Sequence, residues 1–63
     1  MKTSEKLYEI EYILDSYHFY PVDIEVRNGI RIELYEAPTD GLFEKLEEYG
    51  EVEYLGNGII LIE

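Results

Sequence analysis

The stretch from Val22 to Leu34, "VDIEVRNGIRIEL", alternates apolar and charged residues on both sides of an Arg-Asn-Gly tripeptide. A period of two sends successive side chains to opposite faces of an extended chain, so this pattern predicts a β-hairpin with one apolar and one wet face. Turn length decides the register. A two-residue Asn-Gly turn would set Val26 beside Arg31 and Ile24 beside Glu33, mixing apolar and charged groups on one face. A three-residue loop, Arg27-Asn28-Gly29, instead pairs Val26 with Ile30, Ile24 with Ile32 and Val22 with Leu34. Gly29 then falls at the positive-φ position of a type I turn plus bulge. The same register sets Glu25 opposite Arg31, which is favourable, and Asp23 opposite Glu33, which is not.

A second hairpin follows the same logic. "EVEYL" and "IILIE" flank Gly56-Asn57-Gly58, so the chain says Asn-Gly-Ile twice. Helical periods precede both hairpins. Leu7, Ile10, Leu14 and Tyr17, with Ile13 at the edge, recur at spacings of three and four, and Ser4 is placed to cap this helix. Tyr20 before Pro21 marks the change to extended chain. In the second half Thr39 or Asp40 can cap a helix whose stripe is Leu42, Phe43, Leu46 and Tyr49. The expected architecture is a single α+β domain of two layers, αββαββ, with a four-stranded antiparallel sheet and both helices on one face. Two αββ half-repeats, about 4–35 and 39–63, are compatible with this order.

Such a chain has little core to spare. At 63 residues it buries only about 60% of its unfolded surface, and it has no cysteine for disulfides and a single histidine, too few ligands for the usual zinc sites. No cofactor or metal is expected. The longest aliphatic run, Ile59–Ile62, is far shorter than the roughly 20 residues of a membrane helix, and Glu9 and Glu11 interrupt the only stretch resembling a signal-peptide core. A cytoplasmic location is therefore expected.

Charge is the least ordinary feature. Fifteen acids against five bases give a net charge of -10. Residues 1–35 carry seven acids and four bases, whereas residues 36–63 carry eight acids and one base. Affinity for DNA or RNA comes from Lys and Arg on phosphates, so direct nucleic-acid binding is not expected, nor is binding to anionic membranes. A basic protein partner is. Seven Tyr, two Phe and an apolar fraction of 46% argue for a folded chain rather than an acidic disordered one.

No motif names a reaction. Gly-Asn-Gly lacks the rest of a phosphate-binding loop and precedes a strand rather than a helix. His18, with Asp15 three residues before it, sits in "YHFY" at a helix-to-strand corner, where an aromatic plug is the simpler reading than a catalytic base. The carboxylates fall at outward positions, without the convergence that hydrolytic or metal chemistry needs. A non-enzymatic protein is expected.

The acids do form rows. Glu5/Glu9 and Glu11/Asp15 on the first helix, Glu44/Glu47/Glu48 on the second, Glu51/Glu53 and Asp23/Glu25/Glu33 on strands lie at spacings of about 5–7 Å. That is comparable to a phosphate backbone. Tyr8, Tyr12 and Tyr35 lie outside the apolar stripes, beside these acids, as suits a protein interface. In general character such a surface resembles that of small phage proteins that inhibit restriction or CRISPR nucleases by mimicking nucleic acid, although no motif assigns the chain to a family. The alternative is a self-associating, homodimeric structural or regulatory domain whose acidity only aids solubility. On that reading Ile60 and Ile62, on the run of four aliphatics, form the apolar interface.

Overall fold

The alternation from Val22 onward does become a hairpin. The computed structural model describes residues 3–63, and its element order is α1 (Thr3–Ser16), β1 (Pro21–Val26), β2 (Ile30–Leu34), α2 (Asp40–Leu46), a 3-10 turn (Glu47–Tyr49), β3 (Val52–Gly56) and β4 (Ile59–Ile62). The result is an α+β fold with two helices and one antiparallel sheet of order β1-β2-β4-β3. No described helix is long and apolar enough to cross a membrane.

In the first hairpin Val26 pairs with Ile30, Glu25 with Arg31, Ile24 with Ile32 and Asp23 with Glu33, the register of a three-residue loop. Two details differ from expectation. Gly29 has the expected positive φ, at 127°, but so does Asn28, at 52°, which a type I turn plus bulge does not contain. Leu34 faces Pro21 instead of Val22, because a bulge interrupts β1 between Pro21 and Asp23. The bulge leaves Val22 exposed.

The second hairpin turns more tightly. Gly56 pairs with Ile59, so Asn57 and Gly58 alone make the loop. Their φ values, 54° and 79°, have the signs of a type I′ turn, whose twist matches that of the flanking strands. The two Asn-Gly-Ile phrases are therefore out of phase. One extra loop residue in the first hairpin turns Ile30 to the side of the sheet opposite to that of Ile59.

β2 and β4 join the hairpins, with Ile30 opposite Ile62, Arg31 opposite Leu61, Ile32 opposite Ile60 and Glu33 opposite Ile59. One side of the sheet thus carries Ile24, Ile30, Ile32, Leu34, Ile60, Ile62 and Val52. It merges with Ile10, Ile13 and Leu14 of α1, Phe19, and Leu42 and Leu46 of α2 into a single buried cluster. No charged or polar side chain is buried among the described residues. All the stability that burial supplies comes from this one apolar cluster.

Helix ends explain the corners. α1 is already helical at Thr3, so Ser4 lies within it and is not its cap. At the other end the His18 N–H donates to the Asp15 carbonyl at 3.0 Å and the Phe19 N–H to the Leu14 carbonyl at 2.8 Å. With His18 at φ 63° this is a Schellman stop, and the buried Phe19 and Leu14 supply its customary apolar contact. Phe19 therefore closes this end of the core, while His18 is exposed and occupies a site that favours glycine. Replacing His18 with Gly should stabilise the fold by about 0.5–1 kcal/mol, relief of left-handed strain outweighing the added unfolded-state freedom. A thermal melt should show a rise in Tm for His18→Gly that His18→Ala does not reproduce. α2 starts as expected, with the Thr39 hydroxyl accepting from the Leu42 N–H at 3.3 Å.

Candidate functional site

Acidity survives folding almost unneutralised. Fourteen of the fifteen acidic residues are exposed, and Glu33 is half-buried. Three ion pairs form among the described residues: Arg27–Glu25 at 3.8 Å, Arg31–Glu33 at 3.8 Å and Lys45–Glu48 at 3.2 Å. These engage three of the five bases but only three of the fifteen acids. The first two are surface pairs at the edge of contact and contribute little to stability. Lys45 has its pKa held above the ordinary lysine value, first by its hydrogen bond to Glu48 and then by that carboxylate's charge.

The expected acidic residues fall into three groups. Glu5, Glu9, Glu11 and Asp15 are exposed along α1. Asp23, Glu25, Glu33 and Glu53 share the side of the sheet opposite the core, in the cross-strand rows Glu25–Arg31–Leu61–Glu53 and Asp23–Glu33–Ile59–Gly56. The like-charge neighbours Asp23 and Glu33 are therefore real. Glu44 is on α2, and Glu48, in the 3-10 turn, is paired with Lys45. Glu47, Glu51 and Glu53 line, with Val52 and Glu63, a shallow groove of about 400 Å³ between the end of α2 and β3. Glu63 had not been singled out from the sequence. Among the described residues no group of three or more His, Asp or Glu side chains is placed to hold a metal ion.

The apolar interface residues need correction. Ile60 and Ile62 are 0% and 1% exposed and belong to the core. The two-residue turn sets this phase, and it leaves Ile59 and Leu61 half-buried on the opposite side. β4 is central in the sheet, so it is the core strand and not a free surface. Tyr35 lies just after β2 at 81% exposure.

Tyr8 and Tyr12 are exposed on α1, at 77% and 74%, one turn apart. They line a second groove of about 470 Å³ with Glu9, Ile13, Lys45 and Tyr49, which brings the two helical segments together. Tyr49, on the apolar stripe that the helical period predicts, ends the 3-10 turn, packs half-buried against the core cluster and also lines this groove.

His18 lies exposed just after α1. What ties it to Asp15 is the backbone hydrogen bond of the helix stop. Comparison with protein-family models, curated proteins and solved structures finds no match to this chain.

Proposed function

We propose that this chain is a small, non-enzymatic, acidic interaction module that binds a basic nucleic-acid-binding protein by presenting carboxylates where that protein expects phosphates. The observation that carries the reading is charge density. A net charge of -10 over a longest dimension of 28 Å is one net charge per ~2.8 Å. Duplex DNA carries one per about 1.7 Å and a single strand one per about 3.4 Å. The protein falls between them.

The distribution of charge supports the same reading. Solubility of a small domain asks for a net charge of only about 2–8 in magnitude, and this chain carries -10. Here Asp23 faces Glu33 across the strands at some cost in stability, a cost that a binding surface explains. We take both helices to cover the side of the sheet that carries the core, which leaves the Asp23/Glu25/Glu33/Glu53 side open to a partner. Self-association receives less support. Both edge strands are interrupted by a bulge and carry exposed acids, features that discourage edge-to-edge pairing.

The test is a titration of the basic partner, isolated from the source cells on the immobilised protein, in rising salt. Affinity should fall on the order of tenfold between 50 and 200 mM salt, because steering and contact both rest on exposed charge. Affinity independent of salt would contradict the reading.

A further inference from the structure

We propose that the groove between α1 and the end of α2 is a docking slot for arginine side chains of the basic partner. This rests on the proposed function and adds to it the place and the side chain recognised. The lining offers three tyrosines, the apolar flank of Ile13 and the carboxylate of Glu9. Its single cation, Lys45, is engaged by Glu48 at 3.2 Å, so it does not set the sign of the field. Charge complementarity therefore selects a cationic occupant, and the whole protein's charge of -10 acts in the same direction.

The chemistry of the walls narrows the cation. Tyrosine faces attract cations within about 6 Å of the ring centre, and a planar guanidinium can also stack on them. The methylene stem of arginine covers the apolar flanks of the tyrosine rings while its head reaches the Glu9 carboxylate. A lysine ammonium is compact and strongly hydrated, so it gains less from rings and gives up more water. Tyr8 and Tyr12 lie one turn apart on a helix, so the backbone fixes the spacing at which both rings are attached. The plain acidic groove lined by Glu47, Glu51, Glu53 and Glu63 has no aromatic wall and would not discriminate in this way.

The test compares acetylated deca-arginine with acetylated deca-lysine by calorimetry and by NMR of the tyrosine ring resonances. The wild-type protein should bind deca-arginine about fivefold more tightly than deca-lysine, as two exposed cation–π contacts allow. The resonances of Tyr8, Tyr12 and Tyr49 should shift more than that of Tyr35. Replacing Tyr8 and Tyr12 together with Leu keeps apolar area on exposed positions, and it should abolish the arginine preference while leaving deca-lysine binding within twofold. An arginine preference that survives in that variant, or ring shifts confined to Tyr35, overturns the slot while leaving the acidic module standing. If neither peptide binds the wild type at low salt, the proposed function fails and the slot with it. The ring shifts in the wild type decide the matter should the double variant fail to fold.

Discussion

Replacing Ile60 with Lys should unfold the protein, whereas replacing its neighbour Leu61 with Lys should leave it folded. Ile60 is fully buried between Ile32 and Tyr54 in a cross-strand row, and every charged side chain in the described structure lies outside that cluster. A lysine there must either bring its ammonium into the apolar core or drag β4 out of it, at a cost of roughly 4 kcal/mol or more. Domains below about 70–80 residues rarely draw more than 3–5 kcal/mol from a single core, so the substitution removes most of the available stability. Leu61 instead sits half-buried on the other side between Arg31 and Glu53. A lysine at that position keeps its head in water beside Glu53, and its effect should stay within about 1 kcal/mol. Circular dichroism melts of both variants read the phase of β4 directly. A folded Ile60→Lys that merely changed oligomeric state would mean that Ile60 lies on an interface after all.

The second large effect concerns Gly58. Its φ of 79° lies in the left-handed region, and a Cβ built there would meet the Leu34 carbonyl oxygen of β2. The same residue holds the junction of the two hairpins, since the Leu34 N–H donates to the Gly58 carbonyl at 2.8 Å. Its own N–H donates to the Tyr54 hydroxyl at 3.1 Å. Alanine at 58 therefore adds left-handed strain to a clash with backbone that cannot swing aside, about 2–4 kcal/mol in all. Gly56 supplies the control. Its φ is 91°, yet nothing lies within 4 Å of a Cβ there, so Gly56→Ala carries only the conformational term of about 1 kcal/mol. At roughly 4–8 °C per kcal/mol for a domain of this size, Gly58→Ala should melt at least about 4 °C below Gly56→Ala. Equal melting temperatures would show that the approach of Leu34 to the turn is not tight.

These residues also show why some of the fold was legible and some was not. The first hairpin was readable because Asp23, Glu25, Arg31 and Glu33 mark the wet face at every second position, which leaves one register that separates oil from water. β4 has four aliphatics and no polar residue to mark a side, so its phase had to come from the turn. Reading Gly56-Asn57-Gly58 as the loop gave no reason to prefer Ile59 and Leu61 for the outer side. The observed two-residue turn decides it. Val22 leaves the alternation because Pro21, which cannot donate to a ladder, takes the position opposite Leu34 beside a bulge. The Schellman stop at His18 carried no glycine signal, so only the backbone geometry reveals it.

The candidate site divides in the same way. Tyr8 and Tyr12 followed from helical period alone, since they lie opposite the Ile10–Leu14 stripe. Tyr49 and Lys45 could not have been joined to them from sequence, because their meeting depends on how α2 lies against α1. The acidic rows within α1 and within β1–β2 are local and therefore readable. Their division among separate surfaces is tertiary.

The most direct measurement of the central claim is a competition titration. The basic partner, loaded with its own fluorescently labelled nucleic acid at low salt, is titrated with this protein while anisotropy is followed. The account predicts displacement of the nucleic acid, with a midpoint that rises steeply as salt is added. A ternary complex, in which the protein binds while the nucleic acid stays in place, would contradict it.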